Sequence, residues 1–453
     1  MIRNRTALGA VVAALAFSTS AIGANWLQLQ GNEAPDAKPL TLWGFIQPTY
    51  IRNEGGAVTG LTGAPGGTAY NGKTPVFNLV APNLEHKEEL LFTRARVGAR
   101  GVIPGTDRKI NYFLMAEFGR NGLTLERSVV VPDASLTFNY IPGARIRVGV
   151  FKLPTAEESY QAIHVLDYIN FTNVTDNLMN ERFVTTPTLQ AGRAYAPLAT
   201  RSVLSRAQVN GPVGGFRDAG VQVYDWFQHG KWEYAYAVVA GLGNGINWSD
   251  SNSKLDLTER LQAAYVFGGK GPRRQDVVAF IWHQEGKRTF GGQDYNRVRE
   301  GVGAKYRKAP FRVAGEYMRG SGMIFNGPNP PFNDLGGTAF QPVATVALGA
   351  DNKAHGYYVD FGWSVTPKWE LDARYDQLDR LTNSATDERQ LTTWTLGGQY
   401  FFTPLIRVAL NYEIRDINVP NPGAILPVAQ RTNAQAIANS IGNRIGAQLT
   451  WIF

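Results

Sequence analysis

Hydrophobic and polar residues alternate along most of the chain from Leu40 to Phe453. In the segment ELLFTRARVGARGVI the small and apolar residues fall on one side of an extended backbone, and Arg94, Arg96 and Arg100 fall on the other. This period of two is typical of a β-strand whose two faces lie in different surroundings. About sixteen such segments follow one another, an even number as in bacterial single-chain barrels. The pattern predicts an all-β protein.

The connections between these segments alternate in length. Every second one is short and contains proline or glycine, as at Pro142-Gly143, whereas the others are long, as between Leu153 and Arg217. A soluble β-sandwich gives no reason for this alternation, but an outer-membrane barrel has short periplasmic turns and long extracellular loops. We therefore predict a 16-stranded antiparallel transmembrane β-barrel that forms one domain over residues 39–453.

The start of the chain predicts export. Arg3 and Arg5 precede an apolar run that ends at Phe17, and small residues surround Ala21 and Ala24. This is the pattern of a secretory signal peptide, here residues 1–24, cleaved after Ala21 or Ala24. Residues 25–38 form a polar N-terminal lead-in. The predicted location is the outer membrane of a Gram-negative bacterium.

The connection after the fifth strand is the predicted constriction loop. About sixty residues cannot all lie outside a compact barrel without structure of their own, so we expect the loop to fold into the lumen. Thr155 and Glu158 have the spacing of a capping box, which predicts a short helix there. An external loop packed on a neighbouring subunit is the alternative. The charged residues expected to shape the constriction are Glu157, Glu158, Asp167, Asp176 and Arg182.

Alternation also selects the cations expected to line the pore. Arginine keeps its charge and offers several donors to an oxyanion, so a row of lumen-facing arginines favours anions. The predicted residues lie on strands two and five, which should share one side of the barrel: Arg94, Arg96, Arg100, Arg145 and Arg147, with Lys152 at the loop entrance. The alternative places several of them at the rim, paired with acids. A basic wall facing an acidic loop would create a transverse field.

Composition excludes several kinds of chemistry. The chain has no cysteine, so it has neither disulfides nor thiol chemistry. Its formal net charge of +8 is not gathered into a basic run with aromatics, so nucleic acid is not an expected partner. The five histidines lack the spacing of a zinc site, and no nucleophile motif occurs. We predict no metal, no cofactor and no catalysis, and keep an enzymatic barrel and a plugged structural barrel as alternatives.

The last residues, RIGAQLTWIF, place Trp451 and Phe453 on one face of the final strand. This predicts the signal by which the barrel assembly machinery accepts a client, although a plain last strand with a lipid-facing aromatic would look the same. Other aromatics stand at strand ends, where they are expected at the membrane interface, among them Trp43, Trp232 and Trp394.

Four segments carry a family resemblance: FTRARVGARG, PDASLTFNYIPGARIRVGVFKLP, AGLGNGINWSDSNSKLD and KWELDARYDQLD. They resemble the phosphate-selective porin O and P family, although Thr155 and Ala156 stand where that family usually has a phenylalanine-glycine run. The resemblance implies a homotrimeric channel surrounded by outer-membrane lipid, through which small hydrophilic solutes diffuse passively, with a preference for small anions such as phosphate. A general, weakly selective diffusion porin is the alternative.

Overall fold

The computed structural model describes residues 25–34, 36–57, 88–121, 123–124, 129–179, 183–184, 188–190, 193–197, 209–210, 216–247, 250, 252–290, 293–325 and 343–453. The proposed signal peptide, residues 1–24, and Arg182 lie outside this part of the chain. The division into signal, lead-in and barrel stays a prediction.

Sixteen antiparallel strands close into one barrel in which sequence neighbours pair and the last strand pairs with the first. The predicted fold class is confirmed. The strands are β1 (Thr41–Asn53), β2 (Glu88–Val102), β3 (Ile110–Glu117), β4 (Val130–Phe138), β5 (Arg145–Lys152), β6 (Arg217–His229), β7 (Trp232–Gly241), β8 (Asp256–Gly268), β9 (Gln275–Phe290), β10 (Gln293–Lys308), β11 (Phe311–Gly322), β12 (Lys353–Ser364), β13 (Trp369–Arg380), β14 (Arg389–Thr403), β15 (Ile406–Asn418) and β16 (Arg444–Ile452).

The two ends of the barrel differ. At the turn end the strands are joined by tight connections, and Gly105, Gly143 and Gly230 take positive φ there, a conformation that suits glycine. The loop end carries the longer connections, except between β9 and β10, which only two residues separate. The wall is lowest at β3, β4 and β5, which have 8, 9 and 8 residues, and highest at β9 and β10, with 16 residues each. At about 3.3 Å per residue, β9 and β10 rise beyond an apolar band about 25 Å tall.

The outer surface is apolar and carries rings near both ends. Near the turn end the rings of Trp232, Tyr265 and Phe267 meet edge to face, with centroids 5.2 and 5.6 Å apart. Tyr375 and Trp394 pack at 4.8 Å farther from the turn end. Such aromatic rows are expected where a barrel crosses the two interfaces of a membrane. Within the described chain, no helix has the length and hydropathy to cross a membrane.

Trp43 is an exception to the expected aromatic belt. Its ring packs against Phe45 and Phe113, at centroid distances of 6.4 and 5.5 Å, and Phe45 is buried beside His164 of the long loop. The prediction of an interfacial Trp43 was wrong, because the alternation in β1 turns this side chain inward. Trp43 therefore belongs to the wall of the lumen.

The barrel interior is packed with residues from outside the strands. The helices are α1 (Trp26–Leu29), α2 (Glu157–Tyr160), α3 (Asn173–Leu178) and α4 (Val428–Ala438), with 3-10 turns at Ile163–Val165, Gly245–Asn247, Gly271–Arg273 and Pro422–Ala424. Six short strands lie outside the barrel wall: Phe183–Val184, Thr188–Gln190, Arg193–Pro197, Val209–Asn210, Ile324–Phe325 and Val343–Ala347. α1, α2 and α3 pack against lumen-facing side chains, so the sequence before β1 and the start of the long loop both lie inside the barrel.

The seam between β1 and β16 closes at the last residue. The backbone amide of Phe453 donates to the carbonyl of Gly44 at 2.9 Å, and the amide of Gly44 donates back to Phe453 at 2.8 Å. A Cβ on Gly44 would lie 2.6 Å from the Phe453 ring, so glycine is what allows this ring to cross β1 on the outer face. Phe453 is exposed on the outer surface.

Candidate pore and its charged lining

The long loop enters the lumen directly after β5 and binds the far wall through its acids. Glu157, in α2, accepts from Arg260 of β8 at 2.7 Å and from Lys305 of β10 at 2.6 Å. Burial alone would raise the pKa of Glu157, but Lys305 and Arg260 outweigh it and lower the pKa to about 2. The carboxylate is therefore charged at any pH well above 2, and the loop start stays bound to this wall.

Glu158 joins two parts of the loop to a third strand. One oxygen accepts from Arg374 of β13 at 2.8 Å, and the other accepts from the hydroxyl of Thr172 at 2.5 Å. The prediction of a capping box was wrong. A short helix forms where it was predicted, but its N-cap is Ala156 without a side-chain hydrogen bond, because the Glu158 carboxylate is used in these longer-range contacts. Thr155 bonds a carbonyl instead.

Asp167 lies farther along the loop and contacts three guanidinium groups. Its oxygens lie 2.9 Å from Arg273, 3.1 Å from Arg307 and 3.2 Å from Arg312. Arg312 also pairs with Asp360, Glu370 and Asp372 of neighbouring strands. Asp176 lies in α3 and is buried beside the same wall.

These contacts change the expected electrostatics of the lumen. The sequence suggested an acidic loop facing the arginines of β2 and β5 across a transverse field. Instead Glu157, Glu158 and Asp167 are bound to cations of β8, β10, β11 and β13, so their charges are largely compensated where they lie. Arg260 was not predicted, although it alternates with Leu257 and Leu261 as the predicted arginines do with their neighbours.

The residues before β1 fill another part of the lumen. The Trp26 indole donates to Glu157 at 2.8 Å, and its ring is nearly fully buried beside Tyr160. Asn32 accepts from the hydroxyl of Tyr224, on β6, at 2.8 Å. The lead-in was predicted only as a polar stretch. The apolar residues Trp26, Leu27 and Leu29 were the feature of the sequence that could have predicted this packing.

Three of the six cations predicted to line the pore are held by contacts with neighbouring groups. Arg100 faces Glu33 of the lead-in at 3.5 Å, and Arg147 is buried beneath the lead-in, donating to the Gln30 carbonyl. Arg145 pairs with Asp225 near the turn end at 3.1 Å and stacks on Trp226. Arg145 therefore matches the rim alternative.

The other three predicted cations form a group with a fourth basic residue. Arg94 and Arg96 of β2, Lys152 of β5 and Arg217 of β6 interact electrostatically and are buried; we call them the basic cluster. Two carboxylates contact them: Glu117 binds Arg96 at 2.5 Å, and Asp133 binds Arg217 at 3.1 Å.

The remaining two members of the basic cluster form hydrogen bonds with neutral groups of the described chain. Arg94 donates to the Gln47 side chain at 3.1 Å, and Lys152 donates to the carbonyls of Ser159 and Gln161 at 2.9 and 2.5 Å. Four basic side chains thus meet two carboxylates, so basic groups outnumber acidic ones in the basic cluster. Strand alternation predicted Arg94 and Arg96, but Arg217 joins them only through the pairing of β5 with β6.

A cavity of about 310 Å³ lies beside the basic cluster, between the barrel wall, the lead-in and the long loop; we call it the inner cavity. Arg96, Lys152 and Arg217 reach it from the wall. Most of the remaining lining is apolar or aromatic: Trp26, Leu29, Trp43, Phe45, Phe113, Met115, Ile163 and Ile452. In the residues for which the structure gives positions, no cluster of three or more acids or histidines is arranged to hold a metal ion.

The fold defines the class of protein: a sixteen-stranded barrel with an apolar outer belt and charged groups inside is an outer-membrane porin. Residues 284–418 match the family model for phosphate-selective porin O and P, which confirms the resemblance found in the sequence. The apolar belt and the family match place the chain in the outer membrane of a Gram-negative bacterium. No curated protein matches the sequence.

Two solved structures are similar in fold. The anion-selective porin from Comamonas acidovorans has a TM-score of 0.52 at 13% identity, covering 92% of this chain and 100% of that one. The outer membrane channel DcaP of Acinetobacter baumannii has a TM-score of 0.50 at 14% identity, covering 94% of this chain and 100% of that one. At these identities the likeness concerns the fold.

Proposed function

We propose that this porin is a passive diffusion channel for small hydrophilic solutes that prefers anions. The observation that carries the proposal is the basic cluster, in which four basic side chains meet two carboxylates inside the lumen. Arg94 and Arg96 are the seventh and ninth of the fifteen residues of β2, so the cluster lies near the middle of that strand rather than at the turn-end rim. Fixed positive charge in a low-dielectric lumen raises the local concentration of anions.

The acids of the loop do not offset this preference. Glu157, Glu158 and Asp167 are each bound to cations of the opposite wall, so their fields are compensated locally. A general, weakly selective porin would be favoured if these acids faced the solute path unpaired. The loop, which crosses the lumen between the two walls, is our proposed constriction.

The chemistry of transport is diffusion down a gradient, with no covalent step. We therefore propose a channel rather than an enzyme. Phosphate is one anion to test, because the family match and the guanidinium groups both suit an oxyanion. Lipid contacts the apolar belt, and the aromatic end of β16, including Trp451 and Phe453, is the segment we propose for recognition by the barrel assembly machinery.

We also propose a homotrimer. The wall is lowest at β3, β4 and β5, where a neighbouring copy could cover the apolar outer face. Leu114, Leu136 and Val148 are exposed on that face. The family resemblance implies the same assembly.

The test of anion preference is the zero-current potential of the purified channel in a planar bilayer under a KCl gradient. The wild-type protein should show chloride preference that weakens as salt is raised, because the Debye length falls from about 10 Å at 0.1 M to about 3 Å at 1 M. Neutralising Arg94 and Lys152 together, as R94Q and K152Q, should move the potential toward cation preference. Both have neutral partners, so no carboxylate loses its counter-ion.

The matched control is Arg319→Gln. Arg319 is an exposed arginine that pairs with Glu300 at the loop end of β11, so this variant removes one positive charge away from the basic cluster. Its potential should equal that of the wild type. A wild-type potential near zero would reject anion preference, and an unchanged potential in the double variant would reject the assignment of the basic cluster. Adding R96Q and R100Q extends the test to the other arginines of β2.

A further inference from the structure

The inner cavity has two kinds of wall that suit different parts of one molecule. The cationic wall consists of Arg96, Arg100, Lys152 and Arg217. Asp133 lines the cavity with them, and Glu117 binds Arg96. Rings and aliphatic side chains form much of the rest of the lining, among them Trp43 of β1 and Phe113 of β3, the strands that pair with β2. Hydrated inorganic anions gain nothing from contact with such a surface, whereas an apolar group gains free energy by leaving water there.

The cationic wall retains binding capacity. Lys152 Nζ has three protons, and two of them go to the carbonyls of Ser159 and Gln161. Arg96 uses Nε for Glu117, and its side chain also lines the cavity. A buried positive charge without a full complement of acids is costly, and a carboxylate or similar anion would relieve that cost.

The aromatic wall also contains an unused donor. The indole Nε1 of Trp43 is buried and has no hydrogen-bond partner in the described residues, although Trp43 lines the cavity. Nearly all buried donors form a hydrogen bond, to protein, water or a ligand. The ring of His164 lies 4.7 Å from Phe45 and extends the flat surface. Burial, together with the charges of Arg407, Arg96 and Lys152, lowers the pKa of His164 to about 3, so this ring is neutral.

The size of the space agrees with a small organic molecule. Sites for such ligands measure about 300–1,000 Å³ and are mostly apolar with a few polar groups. The inner cavity, at about 310 Å³, lies at the lower end of that range. We propose that the inner cavity is a binding site for organic carboxylates with a flat apolar body, with the carboxylate at the basic cluster and the apolar body against the rings of Trp43 and Phe113.

This proposal rests on the proposed function, since it names the class of anion that the same lumen would favour. Its probe is benzoate, with acetate and inorganic phosphate as anions that lack the ring. Each is titrated into the bath of the reconstituted full-length channel at constant ionic strength, and block of the KCl current is measured. Benzoate should block at a concentration about tenfold below acetate, because the ring buries apolar area that acetate lacks.

Two variants locate the effect. Trp43→Phe keeps a ring but removes Nε1, and should weaken benzoate block several-fold while leaving the response to acetate unchanged. Phe113→Leu removes a ring without touching a charge, and should act in the same direction. The matched control is Trp394→Phe, on the outer face, which should leave block unchanged. Heat-modifiable migration on gels reports whether each variant has folded.

The possible results separate this proposal from the function on which it rests. Chloride preference with equal block by benzoate and acetate would overturn the carboxylate site and leave the anion channel standing. Block by phosphate at lower concentration than benzoate would replace it with an inorganic oxyanion site. Absence of both anion preference and block would overturn the two proposals together.

Discussion

At the scale of single residues, Asp167 links the loop to the barrel wall. Its carboxylate touches three guanidinium groups, of which Arg273 comes from a turn and Arg307 and Arg312 from β10 and β11. Burial raises the pKa of Asp167, but these arginines lower it far more, so the group stays ionised. One charge thereby holds the middle of the loop.

Replacing Asp167 with Asn should release this attachment and add net positive charge to the lumen. A lost charged hydrogen bond costs about 1.5–3 kcal/mol, so we expect the loop to bind the wall less firmly. Single-channel recordings should show larger or more variable conductance, and the zero-current potential should move further toward anions. Asp294→Asn is the control, because Asp294 pairs with Lys254 at the loop end. If D167N kept the wild-type conductance and potential, the proposed constriction would be wrong.

Residue alternation predicted which arginines face inward but not what they meet there. Arg94 and Arg147 both belong to lumen-facing positions, yet one joins the basic cluster and the other is buried under the lead-in. The partners of each cation come from distant segments, and a period of two carries no information about those segments. Arg217 was missed for the same reason.

At the scale of elements, the strands were predictable and the inserted segments were not. A strand between lipid and lumen must alternate, so the count of sixteen and most strand ends follow from the sequence. α1 has only four residues, too few for a helical period to show. α2 was expected from a capping box, but the residue chosen as its cap partner binds Arg374 instead.

The seam between β1 and β16 supports a prediction at this scale. Deleting Phe453 removes two backbone hydrogen bonds to Gly44, worth about 1 kcal/mol each, and the ring that crosses β1. The yield of assembled, heat-modifiable barrel should fall. Phe402→Ala, which removes a similarly exposed ring at the end of β14, should assemble normally. Equal yields for the deletion and the control would contradict a special role of the last residue.

At the scale of the whole molecule, the uneven height of the wall bears on assembly. If the low side at β3–β5 meets other copies, light scattering of the detergent-solubilised protein should give a mass of three chains. The absence of cysteine allows a sharper test by introducing single ones. Leu136→Cys, on β4, should be protected from a membrane-permeant maleimide, whereas Val359→Cys, on β12 at the opposite side, should react. A mass of one chain with equal labelling would reject the trimer.

The position of α1 inside the lumen has a consequence for the order of folding. In α1, Trp26 contacts Glu157 and Gln28 contacts Glu233, over 131 and 205 positions in sequence. Asn32, just after α1, contacts Tyr224 over 192 positions. Contacts this distant carry a large loop-closure entropy and form slowly. We therefore expect the segment before the first strand to dock only after β6 and β7 have formed. It reaches its final position as the sheet closes around it. Barrel closure and filling of the lumen then become one cooperative event.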